Sequence, residues 1–374
     1  MKATSIEWTD ATWNPVEGCT MAKGSEAGGC LNCYAARAAL RRPASGLSIM
    51  RPSGPRWTGK VGLVERRLTD PLHWRKPQRI FVNSMSDLFH EALPDKAIDR
   101  VFAVMALCPQ HTFQVLTKRP ERMLQWMSDI PTWPTEVTRE TTAGEFASDH
   151  TKRIELTGGS IMGIKGPACL PFWPLPNVHL GVSVEDQKTA DARIPLLLQT
   201  PAAKRFISYE PALAAVDFTR ICLLPQTHGS HRAGVHVDAL HGTYVESGMV
   251  YKGDWDVDGP SPPDSERQRL DQIIIGGESG PGARPFDIEW ARNTIEQCKA
   301  AGVACFVKQL GAVPIFPEPA WRALADAGQR VPLLTPKTEH LPIAGYVQLA
   351  LKDRKGGDMS EWPDDLRVRE YPRV

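Results

Sequence analysis

Three of the chain's eight cysteines stand in one short stretch, NPVEGCTMAKGSEAGGCLNCYA (residues 14–35), at Cys19, Cys30 and Cys33. The last two are spaced C-x-x-C, with Tyr34 directly after. A structural zinc site wants four ligands, usually as two such pairs. Here there is one pair and one single cysteine, and the next histidine is His73. Three thiolates from one segment therefore make an incomplete zinc site. They suit a cubane iron–sulfur cluster, whose natural ligands are thiolates, with one iron left open for a substrate or cofactor. Eight cysteines in a long chain do not make a disulfide scaffold. Cys108, Cys169, Cys222, Cys298 and Cys305 are scattered, four of them in or beside apolar runs, and read as small buried hydrophobes.

The elements that must position these thiols follow from the pattern of short apolar runs. RIFVNSMSD (79–87), HTFQVLTKRP (111–120), NVHLGVSVED (177–186), AKRFISYEP (203–211), QIIIGGESG (272–280) and ACFVKQLG (304–311) each read as a strand that ends in polar residues. Helical spacing fills the gaps at 95–109, 121–130, 186–199 and 287–303, the last opening on Asp287 and closing at Gly302. The alternation predicts an α/β fold with a parallel sheet. Chemically capable residues gather at the strand ends, which is the layout of a βα barrel or partial barrel. No G-x-G-x-x-G follows a strand, so a dinucleotide-binding open sheet is disfavoured. Two Gly- and Pro-rich stretches, about 131–176 and 225–268, read as inserted loops. The second carries His228, His231, His236 and His241, without a cysteine or carboxylate at familiar ligand spacing.

At the strand ends, Lys118, Arg119, Glu185, Glu210 and Lys308 could bind a cofactor carboxylate, phosphates or a polar substrate. The competing reading is a buried ion-pair network. Glu278, after Gly276 and Gly277, is a pocket candidate, or else a turn residue paired with Arg284. Tyr34 and Tyr209 could donate a hydrogen atom or simply pack, and packing is the favoured reading.

Composition bounds the rest. The 374 residues are 42% hydrophobic and 23% charged, ordinary for a globular protein and enough for a sizeable core. No apolar run is long enough to span a bilayer, and the N-terminus shows no apolar signal segment. The expectation is a cytoplasmic protein with no membrane partner. Net charge is +1, so there is no global footprint for nucleic acid. A local basic stretch nevertheless runs from Arg37 to Arg67.

The cysteine segment resembles the cluster loop of radical S-adenosylmethionine enzymes, many of which read N-P-x-x-G-C-x-x-x-C-x-x-C-Y-A. Asn14, Pro15, Gly18, Cys19, Cys30, Cys33, Tyr34 and Ala35 match, with the first cysteine spacing expanded and Asn32 in place of the usual aromatic. Over nearly the whole chain the sequence resembles the phage Gp37/Gp68-like, or three-Cys-motif, family. The segments that carry this are IEWTDATWNPVEGC (6–19), NSMSDLFHE (83–91), LTKRPERM (116–123), SYEPAL (208–213), GGESGPGARP (276–285) and GGDMSEWPDDLRVREYP (356–372).

The resemblance implies a single barrel domain of radical-enzyme type over 1–374, with a closing segment at 340–374. It implies a [4Fe–4S] cluster on Cys19, Cys30 and Cys33, with S-adenosylmethionine on the open iron and Ser84, Ser86 and Asp87 near its amino group. Further implied partners are a reductant such as flavodoxin and DNA or a nucleotide as substrate, in host cytoplasm if the chain is phage-encoded. The specific expectation is isomerisation of an N-linked glycyl-thymidine to a C-linked form in hypermodified phage DNA. Two other classes stand beside it. One is a zinc-holding module whose basic segment contacts nucleic acid. The other is a metal-dependent repair or nuclease enzyme, although no paired-carboxylate motif stands out.

Overall fold

β-Branched and aromatic runs become strands where the spacing predicts them. The computed structural model describes residues 4, 6–25, 28–129, 173–224, 235–246, 249–251, 268–319, 322, 326 and 345–372. Contacts divide the chain into two units: Met1–Glu26, Cys33–Val182 and Gln199–Arg205 form one, and Ala27–Asn32, Ser183–Leu198 and Phe206–Val374 the other.

The first unit contains strands β1 (Ala11–Trp13), β2 (Val16–Glu17), β3 (Ser48–Arg51), β4 (Gly54–Trp57), β5 (Gly62–Leu63), β6 (Arg79–Val82), β7 (Thr112–Thr117) and most of β8 (Val178–Val184). Its helices are α1 (Tyr34–Ala39), α2 (Glu65–Leu68), α3 (Asp95–Ala106) and α4 (Pro120–Ser128). β1, β6, β7 and β8 pair in parallel, and one row across them is Trp13, Val82, Val115 and Leu180. All four side chains are buried, as expected of a parallel sheet covered on both faces. Phe102 of α3 stacks against Trp126 of α4 at 4.4 Å between ring centroids. Burying each ring of this size contributes about 1.5–3 kcal/mol.

The second unit holds α5 (Gln187–Gln199, less its last residue), β9 (Lys204–Tyr209, less its first two), β10 (Ile221–Leu224), β11 (Val235–Asp238), β12 (Thr243–Glu246), β13 (Met249–Tyr251), β14 (Gln272–Gly276), β15 (Phe286–Asp287), α6 (Ile288–Ala301), β16 (Ala304–Gln309), β17 (Pro314–Pro317) and β18 (Tyr346–Gln348). β14 pairs in parallel with β9 and β16. α6 starts where Asp287 accepts the Glu289 N–H and stops at Gly302 in the left-handed conformation. The C-terminal segment runs antiparallel along β16, with Val307 N–H donating to Val368 O and Glu370 N–H to Cys305 O. That gives the expected closing segment a concrete role: it covers the edge of β16.

Hydrogen bonding orders seven strands as β1-β6-β7-β8-β9-β14-β16. The order follows the chain without reversal. A doubly wound sheet reverses at a switch point, so the winding is that of a partial βα barrel. The stretch around 225–268 is not the plain loop its composition predicts. Within it β11, β12 and β13 join β10 in an antiparallel sheet, where cross-strand pairing outweighs the Gly and Asp content. His236 lies on β11 and His241 just beyond it, while His228, His231 and Cys169 fall outside the described residues, as does most of 131–176. Among the described residues no helix is long and apolar enough to cross a membrane.

Candidate functional site

In the first unit the Cys19 loop leaves β1 and is fixed to the end of β6 by two asparagines. Asn14 Oδ1 accepts from Met85 N–H at 3.0 Å and from Ser84 Oγ at 3.2 Å. Asn83 Oδ1 accepts from Val16 N–H at 3.2 Å, and Asn83 N–H donates to Trp13 O at 2.8 Å. Asn83 holds φ at 61°, a conformation asparagine tolerates better than most residues. Ser86 Oγ donates to Val16 O, and Gly18 bridges Ser86. Ser84 O accepts the Tyr34 hydroxyl. Ser84 and Ser86 therefore bind the cysteine loop. Asn14 enters the sequence reading only as a motif match, and Asn83 carries no chemistry that a sequence reading would single out.

Next to this loop lies a buried cation. The Arg119 side chain is 6% exposed and follows β7. It donates to Asp87 Oδ2 at 3.1 Å, to both Glu91 oxygens at 2.8–2.9 Å, and to Thr20 O and Oγ1. Its Nη1 stands 3.9 Å from Cys19 Sγ. Burial works against the charge, but Asp87, then the Cys19 sulfur and Glu91, outweigh it and hold the guanidinium above its usual range. A cation at this distance stabilises negative charge on sulfur, the form that ligates metal. Asp87 also accepts from Thr117 Oγ1, Lys118 N–H and Phe89 N–H. Arg119, with Glu91, Arg122 and Trp126, lines a cavity of about 440 Å³.

His90 completes this layer. Ala92 N–H donates to His90 Nδ1 at 3.1 Å, so Nε2 carries the proton and donates to Thr20 Oγ1 at 2.8 Å. Burial, and then Arg119, lower the His90 pKa from 6.5. The unfolded chain therefore takes up a proton near pH 6.5 that the folded chain refuses. Stability from this group is complete above that pH and is lost as pH falls through the lowered folded value. Urea midpoints taken between about pH 7.5 and about pH 5.5 should fall less steeply in His90→Gln than in wild type. The difference should be at most about 1.4 kcal/mol per pH unit. Parallel curves would remove His90 as the source.

In the second unit the residues around Cys30 are held by the strand-end acids. Gly29 N–H donates to Glu185 Oε1 at 3.2 Å, and a Cβ on Gly28 would stand 3.2 Å from the Glu185 carboxylate carbon. Asn32 Nδ2 donates to Glu278 Oε2 at 3.2 Å and to Gly282 O at 3.0 Å. Arg284 Nη2 donates to Gly28 O and, with Nε, clamps Glu278. Burial raises the Glu278 carboxyl, but Arg284 outweighs it and holds it below the usual carboxylate range. Glu185 is fully buried and paired with Arg193 at 2.9 Å. Glu210 pairs with Lys308 at 2.6 Å. The ion-pair alternative thus describes the strand-end acids; Glu185 accepts from the backbone beside Cys30, and Glu278 holds the Asn32 side chain.

Gly277 and Gly311 allow close backbone approach, but to the chain itself. A Cβ on Gly277 would lie 2.5 Å from Leu310 O, and one on Gly311 2.7 Å from Glu278 O. Tyr209 is buried, its hydroxyl donating to Ala214 O, which fits the packing role, whereas Tyr34 is exposed and does not pack, its hydroxyl instead tying α1 to Ser84 O.

Cys19, Cys30 and Cys33 are half-buried and form no disulfide among the described residues, and Cys33 is the N-cap residue of α1. Among the described residues no three His, Cys, Asp or Glu side chains are gathered so as to hold a metal ion. The fit to a cluster therefore rests on donor chemistry: three thiols outside any disulfide, one beside a cation, within fifteen residues of chain.

No curated protein and no solved structure matches the chain. A family model matches residues 3–330, DUF5131, described as a protein of unknown function. The chain belongs to that family.

Proposed function

We propose that the protein is a radical S-adenosylmethionine enzyme, with Cys19, Cys30 and Cys33 as the ligands of a [4Fe–4S] cluster. The carrying observation is the donor set: three cysteines between residues 19 and 33, none in a disulfide, in a segment that opens directly after the first strand of a sheet wound like a partial barrel. When bound, such a cluster with S-adenosylmethionine supplies reductive cleavage of the cofactor and hydrogen abstraction from a substrate. The chain's own part is to orient the thiols. Asn14 and Asn83 fix the base of the Cys19 loop, Arg119 favours the thiolate, and Glu185 and Asn32 anchor the backbone on either side of Cys30. The substrate class that goes with this reading is a base in DNA.

Anaerobic reconstitution with iron and sulfide tests the reading. A brown protein with about four irons per chain is expected, forming 5′-deoxyadenosine when dithionite and S-adenosylmethionine are added. Cys30→Ala should lose the colour and at least about 99% of the product, since a cluster left with two thiolates is not held. A colourless protein that retains zinc and leaves S-adenosylmethionine intact would overturn the proposal and favour the zinc-holding module.

A further inference from the structure

Charge along this chain is strongly segregated. From residue 27 to residue 64 there is no Asp or Glu, while Arg37, Arg41, Arg42, Arg51, Arg56 and Lys60 all fall there. Net charge for the whole chain is only +1, so the remainder is acidic on balance. The fold turns this stretch into one object in the first unit. β3 and β4 form a two-stranded antiparallel ribbon with a tight turn at Pro52 and Ser53, and α1 packs against both strands. Register pairs Ile49 with Arg56 and Arg51 with Gly54, so alternation sets Ile49, Arg51 and Arg56 on one face. Met50 lies on the other.

Two further observations say what the ribbon meets. Among the described residues, Arg41, Arg42, Arg51 and Lys60 make no ion pair, and all four are exposed. Among the described residues, the large apolar side chains left exposed are Met21, Tyr34, Ile49 and Met50, with Met50 at 66% and Tyr34 at 58%. Every one lies on or near the same module. Fixed cations with isolated apolar side chains, on a two-stranded ribbon, match a nucleic-acid duplex. Its major groove admits such a ribbon, its phosphates take guanidinium groups in bidentate fashion, and its base steps accept an apolar wedge. A membrane surface would call for a broad apolar face, which the ribbon lacks.

We infer that the β3–β4 ribbon, with the Arg41–Arg42 turn and Lys60, is a docking surface for double-stranded nucleic acid, with Met50 as the apolar contact. The ribbon is built onto the cysteine loop: a Cβ on Gly18 would stand 1.8 Å from Lys60 O, and one on Gly59 3.7 Å from the Thr20 methyl. A duplex held there is presented to the Cys19 end of the first unit. The inference deepens the functional reading given above, yet its test does not depend on that reading, because docking needs no cluster.

The test is fluorescence anisotropy of a labelled random-sequence DNA duplex of about 20 base pairs, titrated with the full chain at several salt concentrations. Both wild type and metal-free Cys30→Ala should bind it. With four unpaired cations, log K should fall against log salt with a slope of about −4. Arg41→Gln/Arg42→Gln/Arg51→Gln should flatten the slope by about 3 and weaken binding on the order of a hundredfold at about 0.1 M salt. Its urea midpoint should match wild type, since all three side chains are exposed. Met50→Ser should weaken binding without changing the slope. A second basic cluster supplies the control: Lys352→Gln/Arg354→Gln/Lys355→Gln should bind as wild type does. Three results would overturn the inference: no duplex binding at low salt, equal weakening by both triple variants, or retention by phosphatidylserine vesicles without duplex binding. If the duplex binds but no 5′-deoxyadenosine forms, the docking surface stands and the radical chemistry falls.

Discussion

Gly18→Ala should destabilise the protein by about 3–5 kcal/mol and displace the Cys19 loop. Two effects add. Gly18 holds φ at +84°, and an L residue in left-handed backbone costs about 1–2 kcal/mol. The new Cβ would also sit 1.8 Å from the Lys60 carbonyl oxygen, which is backbone and cannot rotate away. Relief requires parting the β2–β5 pair, where Val16 faces Leu63 and Glu17 faces Gly62, or the Gly18–Ser86 bridge. Gly24→Ala separates the two effects, because Gly24 has φ of +74° but nothing within 4 Å of its added Cβ. That variant should lose only about 1–2 kcal/mol. Urea denaturation of both variants decides the matter. Equal losses would mean that the Lys60 contact does not hold the loop.

Arg119→Met should cost about 3 kcal/mol, the lower end of the range for breaking a buried ion pair. The loss comes from one partner. Glu91 is 68% exposed and regains water when the guanidinium goes. Asp87 is 8% exposed and cannot, so it is left as a buried anion. Its bonds from Thr117, Lys118 and Phe89 soften the loss, which is why the upper end of the range is not expected. Arg119→Lys keeps the charge but not the fork that reaches Asp87, Glu91 and Thr20 together, and should fall in between. Asp87→Asn in the Arg119→Met background should recover part of the loss, since the stranded charge is gone. A double variant no better than Arg119→Met would show that Asp87 is not the source. Cys19 reports the functional side: with Cys30 and Cys33 replaced by Ser, its alkylation near pH 7 should slow several-fold when Arg119 becomes Met.

The six main strands were legible because each is a compact β-branched or aromatic run with polar residues after it, as in QIIIGGESG and HTFQVLTKRP. Asp287 and Gly302 marked α6 because helix ends have local chemistry that a few residues can display. The strand-end acids were harder. Glu185, Glu210 and Glu278 look alike in sequence, and their partners decide what they do. Arg193 and Arg284 come soon after in the chain, but Lys308 is 98 residues from Glu210, and the Gly29 N–H is 156 residues from Glu185. Such pairings follow from sheet order and not from spacing. The same holds for Asn32, which a motif reading sees as a departure and the structure uses to grip Glu278. β11 and β12 were missed because Gly and Asp around them read as loop, while their cross-strand partners are invisible along the chain.

The division into two units has a consequence for how the chain is made. The chain passes from one unit to the other five times, at 26/27, 32/33, 182/183, 198/199 and 205/206. Neither unit is a contiguous piece, so no single truncation yields either one. During synthesis the first unit lacks part of itself until residue 205 has emerged, and the Ala27–Asn32 piece, made early, waits for partners as late as Arg284. Cys30 thus belongs to the first-made part of the chain and to the last-finished part of the fold. If the proposed cluster is bound, iron delivered before residues 27–32 meet their late partners would find a half-built ligand set, and loading would follow folding of both units.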